Sequence, residues 1–366
     1  MTLLTPADYM NRALFLAARG RGRTSPNPLV GAVVVSPDGT IVGQGSHDRA
    51  GEPHAEIHAL DMAGSRARGA TLYCTLEPCC HVGRTGPCVA RITGAGIARV
   101  VAAIEDPNPV VCGRGFAFLI EHGIEVEVGL GAEAAARLNQ PFLTLIRKRR
   151  PFVILKAATS LDGRIAARLG VRTKLTSVAS DRHAHRVRAE VDAVGIGSGT
   201  VLIDDPLLTP RGAFRERPLT RVIFDRRLRT PPHARLLSTL EAGPVIIVTT
   251  AGAASSISHA RSRARLEEQG ARIVVGADAS LQAALECLGT LGIGSLLLEG
   301  GAAVHRAAWD EGLVDFVRLY VTPRVLGQDA VPLLQGCGFR TRDLVERRIE
   351  PLGDDVLIEG YVYRPH

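Results

Sequence analysis

Aromatic residues make up only 4% of the 366 residues, with a single tryptophan. That is poor material for a platform on which the bases of a single strand stack. No long apolar run is present; stretches such as Val100–Ile104 and Val245–Val248 fall far short of the roughly 20 residues that span a bilayer. The beginning lacks a basic stretch followed by an apolar one, so no secretory signal is expected. Instead Thr5-Pro6-Ala7-Asp8 reads as a helix start: Thr5 as N-cap, Pro6 at the first position, Asp8 closing a capping box. A Gly-x-Gly-x-x-Gly fingerprint is missing too, which argues against a Rossmann domain. Seven cysteines are an odd number; four fall within fifteen residues and the rest are scattered, so a disulfide framework is not indicated. A reduced, cytoplasmic compartment with metal use is the expectation. The net charge of +7 suggests anionic partners, and phosphorylated small molecules satisfy it as well as nucleic acid does.

What is there is an α/β pattern that runs twice. Residues 6–19 predict a helix, and Leu29–Ser36 and Ile41–Gly45 predict strands paired around Pro37-Asp38-Gly39. Further strands are predicted at Ala70–Leu76, Arg99–Ile104 and Ile124–Val128, with helices from near His54, from Cys88 and over residues 112–122. The basic run Arg147-Lys148-Arg149-Arg150 before Pro151 reads as a solvated linker between domains at 1–147 and 151–366. The pattern then restarts with strands at Phe152–Ala157, Ala193–Ile196, Arg221–Phe224, Val245–Thr249, Arg272–Val275, Ser295–Leu298 and Phe316–Val321. Alternation of this kind implies layered α/β domains.

The strongest chemical signal is His54-Ala55-Glu56, followed by Pro78-Cys79 and Pro87-Cys88. One imidazole and two thiolates are good zinc ligands, and three protein ligands leave a position open for water. Zinc lowers the pKa of such a water toward neutrality. Glu56, two residues from a ligand, is placed to take the proton and later hand it to a departing amine. Zinc deaminases of nucleobases use this arrangement, with the glutamate as acid and base rather than ligand. Positions i and i+2 of a mid-helix point to opposite sides, so His54 and Glu56 belong in a first turn, as Pro53 suggests. Pro87 likewise puts Cys88 at a helix N-terminus, where its thiolate is favoured.

Around that site the match becomes specific. Thr75-Leu76-Glu77-Pro78-Cys79-Cys80-His81-Val82-Gly83-Arg84-Thr85-Gly86-Pro87-Cys88 resembles the bifunctional deaminase/reductase family of riboflavin biosynthesis. Eight residues separate Cys79 from Cys88, where most cytidine-deaminase-like proteins have two. Ser25-Pro26-Asn27-Pro28-Leu29-Val30-Gly31, Gly45-Ser46-His47 and Glu105-Asp106-Pro107-Asn108-Pro109 match as well. The resemblance implies a cytidine-deaminase-like three-layer domain followed by a dihydrofolate-reductase-like domain. It implies zinc and NADPH as cofactors, a phosphorylated pyrimidine substrate, no nucleic-acid or membrane partner, and a homo-oligomer. Asn27, His47, His81 and Arg84 match positions that line the deaminase pocket. Gly86 and Cys80 depart from the family pattern, where a proline and a small polar residue are usual.

In the second half, Lys156-Ala157-Ala158-Thr159-Ser160-Leu161-Asp162-Gly163-Arg164 and the stretch from Gly197 to Arg211 resemble the family's reductase. Matched substrate positions are Lys156, Arg188, Asp204, Leu208, Arg211 and Glu299. Guanidinium groups bind phosphate bidentately, which makes Arg188 and Arg211 the expected phosphate ligands. The matched cofactor positions are Ala158, Arg172, Lys174, Thr200, Asp204, Arg226, Gly300, Gly301, Ala302 and Ala303. The two glycines let a dinucleotide phosphate approach a helix start. Here Arg172-Thr173-Lys174 stands where the family usually has Ser-x-Trp, and Arg226 where it has serine. Two alternatives remain open on the residues alone: a nucleotide or tRNA base deaminase with a C-terminal binding domain, and a structural zinc module in a binding protein.

Overall fold

The computed structural model describes residues 4–80, 86–334, 336 and 339–365. The chain divides into two compact units, Met1–Lys148 with Pro365–His366, and Arg149–Arg364. No helix among the described residues is long and apolar enough to cross a membrane.

The first unit opens with α1 (Pro6–Ala18), whose N-cap Thr5 and Asp8 form the capping box. The hairpin β1 (Gly31–Val35) and β2 (Ile41–Ser46) follows, then α2 (Ala55–Ala63), β3 (Thr71–Cys74), α3 (Cys88–Gly94), β4 (Arg99–Ala102), α4 (Arg114–Glu121), β5 (Glu125–Val128), α5 (Ala132–Leu138) and α6 (Gln140–Lys148). Five strands form one sheet in the order β2-β1-β3-β4-β5. β1 pairs antiparallel with both neighbours, whereas β3, β4 and β5 are parallel. Successive side chains of a strand point to opposite faces, so the all-apolar β1 feeds two cores. Val33 and Val35 pack with Tyr9, Met10, Ala13 and Ala135 from α1 and α5. Ala32 and Val34 pack with Ala55, Ala59 and Leu60 of α2 and with Val89 and Ile92 of α3. The result is three layers. Glycines bring α2 onto the hairpin: a Cβ at Gly43 would stand 2.0 Å from Ala59 O, and one at Gly45 2.3 Å from Ala55 O. That contact fixes the height of the first turn of α2.

The second unit contains β6 (Phe152–Thr159), β7 (Arg164–Ala166), α7 (Val178–Glu190), β8 (Ala193–Gly197), α8 (Ser198–Asp204), β9 (Thr220–Phe224), β10 (Val245–Thr250), α9 (Ala251–Ser255), α10 (Ile257–Glu268) and β11 (Arg272–Gly276). It continues with α11 (Leu281–Thr290), β12 (Ser295–Gly300), α12 (Ala302–Asp310), β13 (Phe316–Val321), β14 (Val331–Pro332), β15 (Val345–Leu352) and β16 (Asp355–Tyr361). Nine strands form a sheet in the order β11-β10-β9-β8-β12-β6-β13-β16-β15. From β11 to β13 all neighbours are parallel; β16 and β15 close the sheet as an antiparallel hairpin. Leu281, Leu285, Val304 and Ala308 of α11 and α12 cover one face, and Val187, Val201 and Leu266 of α7, α8 and α10 cover the other.

Two sequence readings change. The hairpin β15–β16 was not expected; β15 is an edge strand of mostly exposed, charged residues, Val345 to Leu352, without the apolar alternation that marks a strand. The basic run at the boundary is not all solvated linker. Arg147 and Lys148 end α6, but Arg150 is 4% exposed, and its guanidinium donates to both carboxylate oxygens of Asp315, at 2.6 and 2.9 Å.

Candidate active sites

In the first unit His54 is the N-cap of α2, with extended backbone, and Glu56 lies in the first turn. α3 begins at Cys88, behind Pro87. The donor atoms of His54, Cys79 and Cys88 all lie within 4.8 Å of one another. His54 Nδ1 is 3.2 Å from Cys88 Sγ and 3.4 Å from Cys79 Sγ. A tetrahedral zinc ion with bonds of about 2.3 Å to sulfur and about 2.0 Å to nitrogen holds such donors roughly 3.5 Å apart, so this set fits zinc. Glu56 is 3% exposed, and its Oε2 has no hydrogen-bond partner among the described residues. Burial raises its carboxyl to about 7, against the pull of His54.

The hydrogen bond from the Cys88 thiol, and that with His54, outweigh burial and bring Cys79 down to about 4. Cys88 is raised by that same bond and by its burial next to Glu56. α3 has only seven residues, and its first amide, Cys88 N–H, points to Cys79 Sγ at 3.4 Å. The start of α3 thus carries one donor, Cys88, and turns its amide toward the other, Cys79.

Asn27 and His47 join this cluster. His47 is 2% exposed, and burial lowers its pKa. Its Nδ1 lies 3.3 Å from Pro53 O, an acceptor, which leaves Nε2 to accept from Asn27 Nδ2 at 3.2 Å. The His47 and His54 rings meet edge to face, with centroids 5.4 Å apart. His81 and Arg84 lie outside the described residues. Sequence reasoning missed Asn139, which is buried and grips the Asn27 segment from 110 residues away. It accepts Leu29 N–H at 2.8 Å and donates to Leu29 O at 3.0 Å. No local pattern marks it.

In the second unit a cavity of about 1040 Å³ runs along the C-terminal ends of the parallel strands, where open α/β sheets bind ligands. Lys156, Arg188, Asp204, Arg211 and Glu299 line it. So do Ala158, Arg172, Lys174, Thr200 and Arg226, and the run Gly300, Gly301, Ala302 and Ala303 at the start of α12. Leu208 is not among the lining residues; it is 4% exposed and packs in the core with α7 and β9, at a left-handed φ of 55°.

Arg188 does not present an open fork to this cavity. Its Nε and Nη2 donate to the two oxygens of Glu299 at 2.5 and 2.6 Å, and Nη1 donates to Thr209 O at 3.1 Å. Burial works against ionisation of Glu299, but Arg188 and Lys156 together overcome it and hold the carboxyl at about 2. Lys156 Nζ sits over the Tyr320 ring, 5.4 Å from its centroid, and burial lowers its pKa. Arg211 is exposed. Lys174 Nζ lies 3.4 Å from Asp181 Oδ2. Arg226 begins an arginine-rich loop, Arg226-Arg227-Leu228-Arg229, organised by buried Asp225, which accepts the Thr230 N–H and hydroxyl, both at 2.7 Å.

Each unit matches a known family model. Residues 5–104 match the model of the cytidine and deoxycytidylate deaminase zinc-binding region, and residues 151–358 match that of the RibD C-terminal domain. The riboflavin biosynthesis protein RibD of Aquifex aeolicus is 40% identical over 96% of this chain and 97% of its own. That of Escherichia coli is 41% identical over 88% and 89%. Among solved structures, RibD of Acinetobacter baumannii is 36% identical with a TM-score of 0.85, over 96% of this chain and 97% of that one. A Thermotoga maritima diaminohydroxyphosphoribosylaminopyrimidine deaminase/5-amino-6-(5-phosphoribosylamino)uracil reductase is 35% identical with a TM-score of 0.82, over the same shares. A RibD C-terminal domain in the second unit, and RibD relatives matched over nearly all of both chains, speak against a nucleotide or tRNA base deaminase with a C-terminal binding domain and against a structural zinc module. The chain belongs to the RibD family of riboflavin biosynthesis and joins a zinc-dependent deaminase to an NADPH-dependent reductase.

Proposed function

We propose that the first unit hydrolyses the ring amine of a 2,5-diamino-6-(5-phosphoribosylamino)pyrimidinone to a carbonyl, releasing ammonia, and that the second reduces the ribosyl side chain to ribityl. The substrate class is that named for the Thermotoga maritima relative. The observation that carries the reading is the three-donor cluster beside a buried carboxylate with an unpartnered oxygen. Zinc at His54, Cys79 and Cys88 supplies Lewis-acid activation of water at neutral pH. Glu56 Oε2 takes the proton from water and delivers it to the leaving amine. Asn27 and His47 hold the polar edge of the ring against that centre; His81 and Arg84, outside the described residues, are assigned to the substrate by the family match alone.

In the second unit NADPH supplies the reducing equivalents, and the protein's task is to position it. Lys156 and Glu299 face the sugar, and Arg188 acts by orienting Glu299. Arg211 takes the substrate phosphate, and Asp204 completes that side. The starts of α8 and α12, at Thr200 and Gly300–Ala303, receive the dinucleotide with Ala158. Arg226 is assigned the 2′-phosphate, since the Lys174 charge is shared with Asp181 and Arg172 stands toward Asp204. Work in the cytoplasm, as a homo-oligomer and without nucleic acid, belongs to the same reading. Mass spectrometry of the products formed from the phosphoribosylaminopyrimidine, with and without NADPH, tests it. Deaminated product without NADPH and a further gain of two hydrogens with it are expected; an unchanged substrate mass in both arms refutes it.

A further inference from the structure

Two features beside the metal cluster have no task in the reaction above: Glu77, two residues before Cys79, and the segment Glu105-Asp106-Pro107-Asn108-Pro109. They meet in the fold. Glu77 is 3% exposed, and its carboxylate accepts four backbone N–H groups. Oε2 takes those of Asp106 at 3.1 Å and Gly113 at 3.0 Å. Oε1 takes those of Gly115 at 2.8 Å and Phe116 at 3.3 Å. The Glu77 N–H itself donates to Ile104 O at 2.9 Å. One side chain therefore closes the loop between β4 and α4 and satisfies amides in the first turn of α4, which have no acceptor within the helix. Asp106 stiffens the same loop by accepting the Asn108 N–H at 2.8 Å. The backbone between Glu77 and Cys79 lies hard against α4: a Cβ at Gly115 would stand 2.2 Å from Pro78 O.

We infer that Glu77 is a positioning residue for the zinc site. Cys79 lies outside any helix or strand. On its α3 side it is held by Val89 N–H to Cys79 O, at 3.2 Å, and by Cys88 N–H to its own Sγ. On the other side the backbone is anchored by Glu77. A carboxylate that accepts four amides is a strong, charge-assisted anchor. It sets where Cys79 Sγ stands relative to His54 and Cys88, although it touches neither metal nor substrate. Glu77→Gln keeps the shape but turns one oxygen into an NH2 group, which faces two amide donors and cannot accept from them.

The test uses the full-length Glu77→Gln protein, loaded with zinc or with cobalt(II). Its zinc should pass to a competing chelator with an affinity lowered about 10-fold or more, the size typical of outer partners of metal ligands. The cobalt(II) ligand-field spectrum should shift, deamination should fall at limiting zinc and recover with excess, and NADPH-dependent reduction should stay at the wild-type rate. Zinc retention and a cobalt spectrum equal to wild type overturn the inference, as does lost deamination that excess zinc does not restore. If Glu77→Gln does not fold, Glu77→Asp decides, because it keeps the charge one methylene short. Weakened zinc retention with native circular dichroism supports the inference; wild-type retention overturns it.

Discussion

His54 and Cys88 stand 34 residues apart in the chain, and the whole metal cluster with Glu56 comes from two helix starts and one loop of the first unit. Arg188 and Glu299 are 111 residues apart, and the cavity they share is lined from the ends of strands dispersed between Lys156 and Val331. A metal needs a few donors at fixed short distances, which tight local turns provide. A dinucleotide needs a long edge, which only neighbouring parallel strands provide, and their order in space differs from their order in sequence. The first site therefore depends on a few residues, whereas the second rests on the integrity of a sheet.

The largest expected effect isolates the first site. Glu56→Gln should slow deamination roughly 100- to 10,000-fold while metal analysis finds zinc still bound at wild-type stoichiometry and reduction proceeds. Loss of the zinc along with activity would make Glu56 a ligand and remove the contrast between ligand and proton carrier.

A comparable effect on stability should be confined to the second unit. Arg150→Ala leaves Asp315 buried without its bidentate partner, which costs about 3–5 kcal/mol. Trp309 is the chain's single tryptophan and packs against Phe339 in that unit, so its fluorescence reports the unfolding there. The denaturant midpoint read from Trp309 should drop sharply, with deamination in buffer unaffected. Equal loss in both units would mean that they do not respond separately.

Acid should weaken the second unit through His305. Burial holds this imidazole at about 4, below its ordinary 6.5. Below about pH 6.5 the unfolded side chain takes a proton that the folded one refuses until about pH 4, so the unfolded state binds more protons across that window. Its contribution is complete above pH 6.5 and falls away as pH drops to 4, by on the order of 3 kcal/mol. Denaturation followed by Trp309 at a series of pH values measures this slope, and His305→Gln should flatten it. A slope unchanged by that substitution would assign the acid sensitivity to other groups.

The smallest effect probes the cofactor end of the cavity. Arg226→Ala should raise KM for NADPH roughly 5- to 100-fold, as expected from about 1–3 kcal/mol for a charge-assisted phosphate contact, and leave KM for NADH alone. Steady-state kinetics with both cofactors decide it; a parallel change in both would show that Arg226 shapes the loop rather than reading the phosphate.

The metal site was readable because its determinants are local. Proline before His54 and before Cys88 sets each helix start, and spacing alone brought the ligands and Glu56 into one reading. Spacing did not show that the Cys88 amide points to Cys79 Sγ, because that depends on how the loop packs against the start of α3. Glu77 stood in plain view within a matched motif, yet its partners lie 29 to 39 residues further on and are backbone amides, which carry no residue signature.

By itself, then, the sequence determined the repeated α/β pattern, the zinc chemistry and the family, since apolar period and motif spacing are properties of short stretches. Tertiary structure alone decided that Arg150 is buried against Asp315, that Arg188 spends its fork on Glu299, and that Leu208 packs into the core rather than lining the cavity. Each of these turns on which charge or apolar surface meets which across more than a hundred residues or across a sheet. Burial and ion pairing are properties of the folded neighbourhood, and an arginine reads the same in a sequence whether it faces water, a phosphate or a carboxylate.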